Sequence, residues 1–197
     1  MIIFLDRQHA GQNRRRKSMG ASRDLDGDGK QSIHETEAYF TALYGLACEV
    51  RLKELGYDVI TISDGSYAER HKRCNAYQAS DEDGIYIALH LNAGGGLYGA
   101  MFYDARSGSG PALAKAIAVK LGAFPELSGG CRAIAALPDN WTKNALYTIK
   151  GVRAVAICAE PAFIDTPAHR PLFTASGMRR IGEAMAEGIA QYIREKA

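Results

Sequence analysis

His9, His90 and Glu160 each stand at the end of a short apolar run, in "IIFLDRQH", "GIYIALH" and "RAVAICAE". Two imidazoles and a carboxylate make a hard-to-borderline donor set suited to zinc, with a fourth position left for water. The helical pattern that follows the first run supplies a carboxylate at its opening residue, Glu37. A carboxylate there points back toward the sheet edge, and the helix dipole favours its charge. Zinc held by His9, Glu37 and His90 leaves Glu160 free as base and proton shuttle. One histidine at a strand end is more often a hydrogen-bonded structural residue. The joint placement of four such groups carries the assignment.

A second pattern precedes Glu37. "DLDGDGKQSIHETEA" fits the twelve-position calcium loop, with Asp24, Asp26 and Asp28 as side-chain ligands, Gly29 at the turn and Lys30 offering its carbonyl at position seven. Glu35 falls at position twelve as the bidentate ligand, which frees Glu37 for zinc, because residues two apart on a helix face different directions. Position eight is Gln31, where paired sensor loops carry an apolar residue. Calcium is therefore expected as a structural clip rather than a switch, the plain rival being a solvated acidic turn without an ion.

These residues need elements to place them. The runs "IIFL", "YDVITIS", "GIYIALH", "YGAMFY", "RAIAAL" and "RAVAICAE" read as strands, several without polar alternation and so buried on both faces. Residues 36–55 form a helical pattern with Tyr39, Leu43, Leu46, Val50 and Leu55 on its apolar side, closed by Gly56, and further helices fit at about 67–80, 110–123 and 174–195. Alternating strands and helices predict an α/β fold: a single three-layer domain whose mostly parallel or mixed sheet of about six strands is flanked by helices. Ligands in such sheets gather outside the carboxyl ends of the strands, where the candidate residues fall.

Composition narrows the function classes. The 197 residues, 47% hydrophobic, suit one domain with a sizeable core. A net charge of +2 is too mild to imply nucleic acid. No apolar stretch is long enough to span a membrane, and the sequence as written carries no export signal, so cytoplasmic synthesis without a signal peptide is expected. Cys48, Cys74, Cys131 and Cys158 are scattered and read as reduced, mostly buried thiols. The basic patch at Arg14–Lys17, with Arg23, reads as a solvated loop or an attraction to anionic wall phosphates. Glycines 94–96 lack the G-K-[ST] of a phosphate loop. Asn92, Trp141 and Tyr147 are expected beside the cleft, Asn92 to donate to a substrate carbonyl and the two aromatics to pack on sugar or peptide. His34, His71 and His169 read as surface residues.

The ordered set "IFLDRQHAG", "ETEAYFTALYGLACEVRLKELGYDV", "AERHKRCNAY", "IYIALHLNA" and "AVAICAEPAFID" resembles the zinc-dependent N-acetylmuramoyl-L-alanine amidases of the amidase-3 family, phage endolysins included. The match runs across almost the whole chain, leaving out roughly residues 12–33. The resemblance implies one catalytic domain over 1–197 with a calcium-loop-bearing insertion at about 12–35. It also implies zinc on His9, Glu37 and His90, Glu160 as the catalytic glutamate, and Arg70 with Asn75 as a structural pair. The substrate it implies is peptidoglycan, cut between the muramic acid lactyl group and L-alanine, with no obligate protein partner and no membrane insertion. A phage or prophage endolysin would act on the wall after release from the cytoplasm. Arg7-Gln8 before His9, Leu91 after His90 and Pro161 after Glu160 depart from the family pattern and bear on substrate preference. Two rivals remain: a zinc peptidase acting on stem peptides, and a calcium-dependent wall-binding module without activity.

Overall fold

The structure, a computed structural model, describes residues 1–7, 9, 19–30, 32–77 and 84–196. Each of the six apolar runs forms a strand: β1 (Ile2–Arg7), β2 (Asp58–Ile62), β3 (Gly84–Leu89), β4 (Gly99–Asp104), β5 (Cys131–Ala136) and β6 (Val155–Glu160). The helices are α1 (Glu37–Glu54), α2 (Tyr67–Ala76), α3 (Gly110–Leu121), α4 (Lys143–Ile149) and α5 (Ala175–Lys196). The strands form one sheet in the order β2-β1-β3-β6-β4-β5. Neighbours pair in parallel throughout except β4 with β6, so β4 and β5 run against the other four. The expected α/β sheet of six strands is thus present, and it is mixed.

Alternation along the strands divides the core into two layers. Ile3, Leu5, Ile85, Ile87, Leu89 and Ile157 face α1, α3 and α5. Phe4, Tyr86, Ala88, Phe102, Ala156 and Cys158 face the opposite way, toward α4 and Cys74 of α2. Every residue of β3 is buried, which is why its run shows no polar alternation. Local signals set the helix starts: the Thr36 side chain accepts the Tyr39 amide at the head of α1, and Ser66 with Glu69 forms a capping box on α2.

The α1 face differs from the sequence reading. Leu46 and Val50 are 58% and 48% exposed, whereas Phe40, Thr41, Tyr44, Gly45, Cys48 and Leu52 are buried. Close packing against α5 explains the rotation. A Cβ added at Gly182 would lie 2.3 Å from the Tyr44 carbonyl oxygen and 2.7 Å from the Cys48 nitrogen, so the two helices meet backbone to backbone. Small residues, not the largest apolar ones, mark that contact. Gly182→Ala should therefore destabilise the fold by about 1–3 kcal/mol through overpacking, while Leu46→Ser should stay within about 0.5 kcal/mol. Thermal unfolding of the two variants side by side decides it; equal melting temperatures would remove the close-contact account.

Two further differences concern helix extents. The first helix of the second layer, expected at 67–80, ends at Ala76, and residues 78–80 lie outside the described ones. Helix α4 was not anticipated, because seven residues are too few to show a period. Among the described residues no helix is long and apolar enough to cross a membrane.

Candidate active site and metal centre

Strands β1, β3 and β6 are adjacent and parallel, so their carboxyl ends open on one edge of the sheet. His9 lies two residues beyond β1 in the left-handed region, at φ 62°, a backbone state uncommon outside glycine. His90 follows β3 directly, and its amide donates to the Ala159 carbonyl at 2.9 Å, which sets it beside Glu160, the last residue of β6. Glu37 opens α1 and reaches the same edge from the helix terminus.

The three meet through one carboxylate. Glu37 Oε1 lies 3.3 Å from His9 Nε2 and 2.8 Å from His90 Nδ1. The Leu91 amide donates to Oε1 at 3.0 Å, and the Ala21 amide donates to Oε2 at 2.9 Å. The imidazoles stand edge to face with centroids 5.2 Å apart. One ligand atom from each of His9, Glu37 and His90 lies within 4.8 Å of the others. Burial opposes the charge on Glu37, but the hydrogen bonds from both histidines outweigh it and hold the carboxyl well below the usual carboxylate range. Burial likewise opposes a charged His90, yet its bond to Glu37 leaves the imidazole raised. Buried His90 Nε2 has no hydrogen-bond partner among the described residues. An anionic carboxylate between two imidazoles, one with an orphaned ring nitrogen, is a donor set that fits zinc.

Glu160 lines the same cavity as His9 and His90, a space of about 670 Å³ between α2, α4 and the sheet. Burial pushes its carboxyl up to about 7, with the Glu37 charge adding to the rise and His90 opposing it. That value suits a group that must both take and return a proton near neutral pH. Cys158 Sγ sits 3.9 Å from Glu160 Oε1, and burial raises its thiol well above the ordinary value. A thiol held protonated is no nucleophile, in keeping with its reading as a core residue.

Beneath the edge, the guanidinium of Arg70 is fully buried and pairs with the fully buried Asp6 carboxylate, to which the Tyr86 hydroxyl also donates. Arg70 donates as well to the Arg7 carbonyl at 3.1 Å and the Gly65 carbonyl at 2.8 Å. It therefore ties α2 to the end of β1, just before His9. Asn75 donates to the Gly151 carbonyl at 2.9 Å and accepts the Arg153 amide at 2.8 Å, joining α2 to the chain entering β6.

The other expected residues divide. Tyr147 lines the cavity. Trp141 does not: it is 66% exposed and lies edge-on against Phe102. Asn92 lies outside the cavity lining too, its side-chain oxygen accepting the Ala93 amide at 2.8 Å. The amides of Gly94 and Gly95 are taken by Asp165, which leaves no phosphate cradle there. His34 is exposed as expected, but His71 and His169 are buried. His71 Nε2 lies 2.8 Å from the Thr148 carbonyl in the cavity wall, and His169 Nδ1 accepts the Phe163 amide at 3.0 Å. The signal for His71 was its i, i+3 spacing to Cys74, which puts both on the sheet-facing side of α2.

In the second pattern, one carboxylate oxygen from each of Asp24, Asp26 and Asp28 lies within 4.8 Å of the others. Glu35 does not join them. Its Oε1 accepts the Leu25 amide at 2.5 Å and the Asp26 amide at 3.3 Å, and its Oε2 accepts the Ser32 amide at 2.8 Å, so its carboxylate closes the loop from within. Lys30 is exposed, and its amide donates to Asp28 at 2.8 Å. Residues Arg14–Lys17 and Gln31 lie outside the described ones.

Comparison with known proteins bears on the whole chain. A family model described as N-acetylmuramoyl-L-alanine amidase matches residues 3–191. Nothing among curated proteins matches. Cwp6 from Clostridium difficile is 22% identical with a TM-score of 0.77, over 98% of this chain but only 29% of its own, so this chain spans under a third of that protein. The catalytic domain of CwlV, N-acetylmuramoyl-L-alanine amidase from Bacillus (Paenibacillus) polymyxa var. colistinus, is 18% identical at TM-score 0.71, covering 98% of both chains. The catalytic domain of the CD27L endolysin targeting Clostridia difficile is 18% identical at TM-score 0.64, covering 97% of both. At these identities the likeness to solved structures is one of fold.

Proposed function

We propose that this chain, which belongs to the N-acetylmuramoyl-L-alanine amidase family, hydrolyses the amide between the muramic acid lactyl group and L-alanine of peptidoglycan. The observation that carries the reading is the meeting of His9, Glu37 and His90 within 4.8 Å, with His9 and His90 lining the same cavity as Glu160. Zinc bound by the three supplies a Lewis acid and brings the pKa of water down toward ~7. Glu160 takes a proton from the attacking water on its carboxylate and returns it to the departing alanine amine, a task its raised pKa suits. The Leu91 and Ala21 amides hold the Glu37 carboxylate in place, as outer partners of a metal ligand do.

Digestion of purified sacculi tests the reading. Mass spectrometry should find intact stem peptides with a free L-alanine amino terminus; stripping zinc with a chelator should stop their release, and added zinc should restore it. Cleavage inside the stem would favour a zinc peptidase instead. Binding without solubilisation would favour a wall-binding module. The endolysin role belongs to the same reading; it predicts that the protein made inside a bacterial cell lyses it only once the inner membrane is opened.

Calcium on Asp24, Asp26 and Asp28 completes the proposal, with Glu35 as the loop's internal clamp rather than a ligand. Micromolar to millimolar calcium should then raise the melting temperature of the protein but not of Asp24→Asn/Asp28→Asn. An equal response of both proteins would remove the ion from the account.

A further inference from the structure

The cavity has two ends. Glu160 closes β6, whereas Gly151 precedes that strand, so the groove between α2 and α4 runs along β6 away from the metal edge. Its walls are Tyr67 and His71 from α2 and Tyr147 and Thr148 from α4. At the far end the walls meet: a Cβ added at Gly151 would lie 2.4 Å from His71 Nδ1, and Asn75 of α2 holds the Gly151 carbonyl. A glycan is a long polymer and needs an open cleft to lie across. A stem peptide is a branch with a free end, and a groove closed at one end admits only that. Of β6, Glu160 and Cys158 line the groove, two residue steps or roughly 7 Å at ~3.3 Å each, which holds about two extended peptide residues.

Among the described residues lining this groove the one ammonium is that of Lys150, whose Nζ stands 3.8 Å from the centre of the Tyr147 ring. Among the described residues lining it the one carboxylate is that of Glu160, and Lys150 forms no ion pair with a described residue. The ring fixes the direction of a side chain that is otherwise flexible, and its face keeps the charge in place without neutralising it. A positive group so placed reads a negative one.

We propose that Lys150, oriented by Tyr147, binds the free carboxylate of the acidic second residue of the stem peptide and makes the enzyme prefer the acid over its carboxamide. The proposal rests on the amidase reading above and names the side of the scissile bond that this groove receives. Arginine would keep the charge; glutamine would keep the length and lose it.

The test uses two probes that differ in one group, N-acetylmuramoyl-L-alanyl-D-isoglutamate and its D-isoglutamine counterpart. Zinc-loaded wild-type protein should show a kcat/KM about tenfold higher for the acid, expressed mainly in KM, as one charge-assisted hydrogen bond gives. Lys150→Gln should bring the ratio below about twofold, and Lys150→Arg should restore most of it. Calorimetry on Glu160→Gln with the same two probes reads the contact without turnover and should show the same preference, lost in Glu160→Gln/Lys150→Gln. Equal cleavage of both probes by the wild type, or an unchanged ratio in Lys150→Gln, overturns the role of Lys150 and leaves the amidase intact. Cleavage of neither probe, with the acid still bound selectively by Glu160→Gln, keeps the subsite and overturns the amidase reading; no selective binding and no cleavage overturns both.

Discussion

Glu160→Gln should lower turnover of peptidoglycan by about a thousandfold while zinc content and sacculus binding stay near wild type. Glutamine matches glutamate in shape, so the cavity keeps its form, but it can neither accept the proton of the attacking water nor return one to the amine. The sign of the pH dependence follows from the same group. A base works deprotonated, so the rate should climb with pH through the titration of Glu160, whose carboxyl burial pushes up to about 7. A zinc ion nearby favours the charged form and moves that rise to lower pH. Residual activity in the glutamine variant should show an acid limb displaced from that of the wild type, because the ionisation of Glu160 no longer contributes to it. An unmoved limb, or near-normal turnover, would hand the proton to another residue.

Arg70→Met should be the most damaging change away from the cavity. It removes the guanidinium that pairs with the fully buried Asp6 carboxylate, to which the Tyr86 hydroxyl also donates, and breaking a buried pair in this way costs about 3–5 kcal/mol. For a chain of this size the melting temperature should fall by roughly 10 °C. Arg70 also holds the Arg7 carbonyl, two residues before His9, so zinc affinity should drop by about tenfold or more as that ligand loosens. Replacing both charges, as Asp6→Leu/Arg70→Met, should recover part of the stability because neither charge of the pair then remains buried. A double variant as unstable as the single one would mean that geometry, not the broken pair, governs the loss.

The sequence was most informative where chemistry and chain position coincide. His9, His90 and Glu160 were legible because an apolar run ends at each, and parallel strands carry such ends to one edge. Glu37 was separable from Glu35 by helix geometry, and the structure gives the two carboxylates different partners: imidazoles for one, the amides of its own loop for the other. What stayed hidden depends on contacts between distant segments. The buried side of α1 is set by how closely α5 approaches at Gly182, and no periodicity within α1 carries that information. His71 was misplaced for the same reason, since its burial requires α4, a helix too short to register as a pattern. Trp141 shows the converse: an aromatic near the cleft in sequence packs on Phe102 instead.

The strand order has a temporal meaning. Strand β6 lies between β3 and β4, although it comes after both in the chain. A polypeptide emerging from the ribosome can assemble β1, β2 and β3, and with them all three imidazole and carboxylate donors, long before residue 160 is made. Until then β3 presents an unpaired edge open to other chains. The segment that caps this edge is the one that brings Glu160, so the nascent protein completes the lining of its cavity in the same event that ends its exposure to misassembly.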